Sequence, residues 1–330
     1  MEYVQIADTD LKASRIGIGT WSIGGREWGG TDENQAKTTL LKALEKGINL
    51  IDTAPVYGLG RSEEIVGKVI QSYGKRDEII LATKVGLPWY DGEVKRNATQ
   101  RNIYKEIDDS LERLQTDYID LYQVHWPDPL VEQEETATAL AKLHQDGKIR
   151  AIGVSNYSPE QMSDFLQYAP LHSDQPPYNL FERGIEQDVL PFCKRHGIST
   201  LTYSTLCRGL LSGKVTKDRS FSGDDLRKDA DPKFQEPRFS QYLEAVEKLN
   251  EFARKNYDKD VLALAVRWVL DQGVDIALSG ARKPEQLDFV NEIFDWELDA
   301  SALDEIDNIL DSTIKDPVGP EFLSAPVRGE

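Results

Sequence analysis

Short β-branched runs alternate with helical patterns along this chain, repeating at about the thirty-residue length of one strand–helix unit. After a segment that reads as an amino-terminal hairpin, the runs fall at residues 16–20, 48–53, 79–84, 118–125, 149–155, 171–175, 198–205 and 274–279. The segments between them carry helix punctuation. Ala36, Leu40, Ala43 and Leu44 form one stripe before Gly47, and Ile65, Val66, Val69, Ile70 and Tyr73 form another before Gly74. Ile103, Ile107, Leu111 and Leu114 make a third, and Ser158 to Gln161 reads as a capping box with Pro159 at the first helical position.

Eight such units have two main solutions, a closed (β/α)₈ TIM barrel or an open doubly wound sheet. An open dinucleotide-binding sheet places G-x-G-x-x-G between its first strand and helix. Here Gly17-Ile-Gly19-Thr-Trp-Ser22 lacks the third glycine, so the α/β barrel is the expectation, as one domain over residues 1–330. The one long insertion, residues 206–237, reads as a structureless and functional loop after the seventh strand.

With 57 acidic against 39 basic side chains the net charge is −18, which argues against nucleic-acid and anionic-membrane partners. Any anionic ligand must therefore meet a local basic cluster. Two cysteines, Cys193 and Cys207, give no disulfide framework, and no secretory signal is legible, so a cytoplasmic protein is expected. The most apolar stretch, residues 261–270, carries Arg267 and is about half a membrane span. Cys193 and His196 have metal-ligand spacing but lack partners, and no metal is expected.

In a barrel, chemistry gathers at the carboxyl ends of the strands. The first four ends deliver Asp52, Tyr57 just beyond its strand, Lys84 and His125. Each has a bland reading: a loop-capping carboxylate, a packing aromatic, a paired lysine, a core histidine. Together they fit carbonyl reduction. Tyrosine is a poor acid near neutrality, an adjacent ammonium favours its phenolate, and a carboxylate keeps that ammonium charged and oriented. A histidine can donate a hydrogen bond to an oxygen that becomes negative. A short-chain dehydrogenase would need Tyr-x-x-x-Lys on one helix, which Tyr57 and Lys84 do not provide.

These residues, set in Ile51-Asp-Thr-Ala-Pro-Val-Tyr-Gly58 and Gln123-Val-His-Trp-Pro-Asp128, resemble the catalytic tetrad of the aldo-keto reductases. The similarity continues through Gly153-Val-Ser-Asn156, Gly209-Leu-Leu-Ser-Gly-Lys214 and Gly280-Ala-Arg-Lys-Pro-Glu-Gln286, and is nearest to bacterial general stress proteins of that family. The resemblance implies a monomeric enzyme that binds NADP(H) without a Rossmann fold and reduces small aldehydes and ketones. Tyr57 is then the proton donor, tuned by Lys84 and Asp52, with His125 orienting the carbonyl. Ser155, Asn156 and Gln175 match positions that hold the nicotinamide carboxamide, and Tyr203 the aromatic on which the ring stacks. Thr20, Trp21 and the run from Ser204 through Thr205, Leu206 and Cys207 to Arg208 complete the cofactor cleft.

Arg208, Lys214 and Arg227 are expected to meet the pyrophosphate, with the long loop folding over it as a belt. Gly280, Ala281 and Arg282, at a helix start, are expected at the 2′-phosphate, with Gln286 toward the adenosine. The chain departs from the family here. Many members have a Lys-Ser pair, then an Arg and an Asn, where this one has Gly280-Ala281, Gln286 and Val290. Trp21, Trp89 and Trp126 are expected as an aromatic wall of the substrate pocket. A second reading keeps the barrel and cofactor as a regulatory or sensor subunit with little turnover, as in potassium-channel β subunits that resemble the family.

Overall fold

All eight runs are strands of one closed, all-parallel barrel in the computed structural model, which describes residues 1–329. They are β1 (Ile16–Gly19), β2 (Leu50–Asp52), β3 (Ile80–Val85), β4 (Ile119–Val124), β5 (Ile149–Ser155), β6 (Ser173–Gln175), β7 (Ser199–Thr202) and β8 (Ile276–Gly280). Each pairs with the next, and β8 closes on β1 through Ala277 opposite Ile16 and Gly280 opposite Gly19. Around them lie α1 (Glu33–Glu45), α2 (Arg61–Tyr73), α3 (Gln100–Leu114), α4 (Gln133–Gln145), α5 (Pro159–Phe165), α6 (Val189–His196), α7 (Arg238–Tyr257), α8 (Val261–Asp271) and α9 (Ala300–Thr313). No helix among the described residues is long and apolar enough to cross a membrane.

The pleat divides the buried residues into two cores. Outward-facing Ile51, Leu81, Val124 and Val154 pack with the helix stripes read above, including Leu40, Val69 and Ile107, and with Leu140 of α4. Inward-facing Leu50, Ala82, Leu121, Ala151, Leu201 and Ile276 fill the lumen, and the hairpin of Tyr3–Gln5 with Lys12–Ser14 plugs its floor with Ile6, Leu11 and Ala13. The lumen has no spare room. A Cβ on Gly17 would lie 2.5 Å from Leu50 Cδ2 and 2.6 Å from Leu278 Cδ2, which is why β1 carries glycine there.

Helix starts follow the sequence. Asp32, Thr99, Asp260 and Asp299 each accept a backbone N–H of the first turn, and Ser158 with Gln161 forms the reciprocal capping box.

Two expectations need correction. The seventh strand ends at Thr202, not Thr205, because Tyr203 bridges to Pro177 and Ser204 turns to φ +61°, out of the extended region. The insertion is also not structureless. Cys207–Ser212 and Pro232–Phe234 are tight turns and Leu226–Asp229 a short helix. They are pinned from inside by a buried charge cluster: Arg208 bonds Glu182 at 2.6 Å and Asp231 at 2.7 Å, and Lys233 bonds Glu182 at 2.8 Å.

The carboxyl-terminal tail crosses the same rim. Gly319 accepts from Lys233 Nζ at 3.0 Å, Ala325 from Arg96 Nε at 2.8 Å, and Arg328 pairs with Asp128 at 2.6 Å in the loop after β4.

Candidate active site

The four tetrad candidates meet at one rim. Asp52 is the last residue of β2 and Lys84 sits on β3, both facing inward and buried. Lys84 Nζ donates to Asp52 Oδ2 at 2.7 Å and to the Thr53 carbonyl at 3.0 Å, and it lies 3.4 Å from the Tyr57 hydroxyl. A lysine in a dry barrel must be paired, and this one is. The His125 ring stands edge-on to Tyr57 with centroids 5.7 Å apart, so phenol and imidazole border one space.

Burial sets the protonation states. It lowers the Lys84 ammonium below its ordinary value, with Asp52 opposing, and drives the Tyr57 phenol well above 10, with Asp52 adding to the rise. Burial is the larger cause of that rise and the Asp52 charge the second, so the ammonium at 3.4 Å does not bring the resting phenol down. Tyr57 keeps its proton until a stronger base appears, and Lys84 acts only on the phenolate as it forms. Burial and the nearby Lys84 charge hold His125 well below its usual range, so it is a neutral imidazole.

Next to the tetrad lies a linked amide and hydroxyl set. Gln175 Nε2 donates to Asp52 Oδ1 at 2.8 Å, and Ser155 Oγ donates to the Gln175 carbonyl at 2.7 Å. Asn156, at φ +63°, donates to the His125 carbonyl at 2.9 Å and accepts from the Tyr203 hydroxyl at 2.9 Å. Ser155, Asn156, Gln175 and Tyr203 are thus brought together beside Asp52, as the sequence implied.

Other expected cofactor residues are placed differently. The side chains of Thr20 and Thr205 are buried braces, donating to the Asp52 and Leu278 carbonyls at 2.9 Å each. Cys207 is buried, and burial holds its thiol well above the ordinary range. Leu206 packs against the outer core, and Ser204 Oγ accepts from Arg208. Arg208 is a correction. Its side chain is 1% exposed and committed to Glu182 and Asp231, so it anchors the belt rather than facing a phosphate. Lys214 is exposed on the loop.

At the far end of the cleft, Arg227 pairs with Asp225 at 2.6 Å and lies 4.9 Å over the Trp28 ring. Gly280 is exposed and Ala281 buried. Arg282 donates to the Trp28 carbonyl at 3.0 Å and to that of Gly30. The helix-start amides expected to face the 2′-phosphate, those of Arg282 and Lys283, donate instead to Gln286 Oε1 at 2.7 and 3.0 Å. Asp224 accepts from the amides of Glu27 at 2.9 Å and Gly29 at 3.2 Å. The loops after β1, β7 and β8 are therefore clasped together.

Trp21 stacks on Tyr57 with centroids 6.2 Å apart, but its aromatic partner is Trp28, edge-on at 5.4 Å. Trp89 lies 5.9 Å from the Arg113 guanidinium and Trp126 5.1 Å from that of Arg96, each held by a cation. Trp28 is the residue sequence reasoning missed as a site member. Its only signal was its place in the loop after the first strand, beside a run of glycines. Cys193 is buried in α6, and His196 stacks on Phe192 there, away from this rim.

The model of the Aldo/keto reductase family matches residues 15–311. Over its full length the chain is 59% identical to all of aldo-keto reductase YhdN of Bacillus subtilis (strain 168). It is 36% identical to the NADH-specific methylglyoxal reductase of Escherichia coli (strain K12), over 87% of this chain and 91% of that one. The solved structure of the glycerol dehydrogenase AKR11B4 from Gluconobacter oxydans superposes with a TM-score of 0.87 at 48% identity, covering 96% of this chain and 98% of that one. With its closed barrel and the Asp52, Tyr57, Lys84 and His125 cluster at one rim, the chain belongs to the aldo/keto reductase family.

Proposed function

We propose that the protein is a nicotinamide-dependent reductase of small aldehydes and ketones, with Tyr57 as the proton donor and NADPH as the cofactor. The observation that carries this reading is the buried Lys84, bonded to Asp52 at 2.7 Å and 3.4 Å from the Tyr57 hydroxyl. A neutral pair of that kind beside a phenol has a use when the phenol must release its proton and be charged only briefly.

The nicotinamide fits the residues present. Gln175, Asn156 and Ser155 offer amide and hydroxyl groups beside Asp52, the Tyr203 ring is tethered through its hydroxyl, and the buried Ser279 Oγ has no partner among the described residues. When bound, the cofactor supplies the hydride for the carbonyl carbon. The protein does the rest. His125, neutral, can donate an N–H to the carbonyl oxygen and orient it without a standing cation nearby. Tyr57 gives its proton to the same oxygen, and Lys84 stabilises the phenolate until solvent restores the proton. The balanced outcome is carbonyl plus hydride plus proton to alcohol.

The aromatic surround that Trp21, Trp28 and His125 give Tyr57 suits a short aldehyde or ketone. The relatives' names, a methylglyoxal reductase and a glycerol dehydrogenase, support compact oxygenated substrates. NADPH is favoured by the basic groups at the cleft, Arg227 and Arg282, although one relative is named NADH-specific. The expected partner is a small carbonyl compound, taken up by a cytoplasmic monomer.

The test is loss of reduced-cofactor absorbance with methylglyoxal and an activated aromatic aldehyde, using NADPH and NADH in turn. Tyr57→Phe keeps the ring and should lower kcat by about 10²-fold or more while cofactor affinity survives. Near-normal kcat in that variant would refute the assignment, and no turnover by the unaltered protein would favour the sensor reading.

A further inference from the structure

Gln123 is a fully buried amide at an inward position of β4, one layer above Leu121, where the rest of the lumen below is apolar. A buried amide is unfavourable unless its groups are bonded. Here both ends are. Gln123 Nε2 donates to Asp52 Oδ1 at 3.3 Å, and Gln123 Oε1 accepts from Gln175 Nε2 at 3.2 Å. Room for it comes from β5, where a Cβ on Gly153 would lie 2.7 Å from Gln123 Cγ.

The topology gives this contact a purpose. Asp52 on β2 and Gln175 on β6 are four strands apart in a ring of eight, so their 2.8 Å bond spans the lumen. Gln123 on β4 sits midway and touches both. The two N–H groups of Gln175 Nε2 are directed at Asp52 Oδ1 and Gln123 Oε1. That fixes which way the Gln175 amide is turned, and Oε1 is its remaining polar atom, an acceptor only. With Gln123 apolar, Gln175 would have one fixed donor and freedom to swing.

We propose that Gln123 is a positioning residue that locks Gln175 with its Oε1 as the acceptor for the carboxamide NH₂ of the nicotinamide, while steadying Asp52 from the opposite side. The proposal rests on the nicotinamide reading above. It makes carboxamide recognition depend on a side chain that does not itself touch the cofactor.

The experiment compares two probes, the oxidised cofactor and its 3-acetylpyridine analogue, in which a methyl group replaces the carboxamide NH₂. Dissociation constants are read from quenching of tryptophan fluorescence. The unaltered enzyme should prefer the carboxamide by about 3- to 10-fold, the value of one neutral hydrogen bond. Gln123→Met keeps length and volume but removes both bonds, and the preference should fall to within about 2-fold, with thermal unfolding still cooperative. An undiminished preference in that variant would overturn the proposal. If Gln123→Met does not fold, Gln123→Leu serves, since it too removes the acceptor for Gln175, and the preference should again fall to within about 2-fold. Gln123→Glu keeps an acceptor for Gln175 in either protonation state, so the preference should be retained there. A preference undiminished in the leucine variant would again overturn the proposal. If the unaltered protein binds neither probe, the nicotinamide reading itself fails.

Discussion

Replacing Asp52 by asparagine leaves the shape of the site intact and removes one charge from a dry pair. Three donors converge on the two carboxylate oxygens: Lys84 at 2.7 Å on Oδ2, and Gln175 at 2.8 Å and Gln123 at 3.3 Å on Oδ1. Asparagine offers one acceptor oxygen, and if the glutamines keep it, the new amide NH₂ faces the Lys84 ammonium. Two unit charges about 4 Å apart attract by about 4 kcal/mol at an effective dielectric of about 20. Burial already holds the Lys84 ammonium below its ordinary value, and losing that attraction lowers it further, so the variant ammonium gives up its proton more readily. The sign is definite: rising pH strips Lys84, and the variant loses it earlier. Because burial keeps the Tyr57 phenol well above 10, the phenol adds no limb of its own in this range. Profiles of kcat against pH at saturating cofactor should therefore show the alkaline limb moved to lower pH, with activity best retained on the acid side. Stability should fall by about 3–5 kcal/mol, the cost of leaving a buried charge unpaired. A limb that stays in place in a folded variant would show that the ammonium is not what limits proton donation.

Two further outcomes follow. Exchanging the Trp28 and Gly30 carbonyls for a dianionic phosphate is favourable for Arg282, so Arg282→Ala should weaken NADPH binding by roughly 1.5–3 kcal/mol and NADH binding far less. Equal weakening, by tryptophan quenching, would mean that Arg282 only braces the loop. Glu106 is 5% exposed, with Oε2 unpartnered, and burial raises its pKa from 4.5 to about 8. Its protonated form therefore stabilises the fold fully below about pH 4.5, and that contribution is lost as pH rises toward 8. Glu106→Gln should unfold at a higher temperature than the unaltered protein at pH 8.5 and at nearly the same one at pH 5, a gap of up to ~5 kcal/mol. Parallel melting curves across that range would contradict the burial argument.

What was legible in the sequence was what local pattern controls. β-branched runs and capped stripes are short-range signals, and all eight strands and the Ser158 box stand where they pointed. The tetrad was legible because a strand end on a barrel rim is a position countable from sequence. The clasp was not. Arg208, Arg227 and Arg282 all looked like free cations, and each has a partner from another segment: Glu182 and Asp231 for Arg208, the Trp28 ring for Arg227 beside its neighbour Asp225, and the Trp28 and Gly30 carbonyls for Arg282. Charge in a loop is visible in one dimension, while its neutralisation depends on which loops the closed barrel brings together. The same limit hid Gln123, whose partners on β2 and β6 lie 71 and 52 residues away.

The site therefore divides by how its parts are held. Asp52, Lys84, Gln123 and Gln175 grow from strands, face the lumen and bond one another, so their positions follow from barrel register and cannot drift without breaking buried hydrogen bonds. Tyr57, His125, Trp21 and Trp28 come from segments beyond the strand ends, where the packing is aromatic and the contacts run between loops. Trp28 links the loop residues to one another: it stands edge-on to Trp21, Arg227 lies over its ring, and its carbonyl accepts from Arg282. A change at Arg227 or Arg282 is therefore felt at Trp21 through a single indole, whereas the Lys84–Asp52 pair is held by bonds that do not involve Trp28.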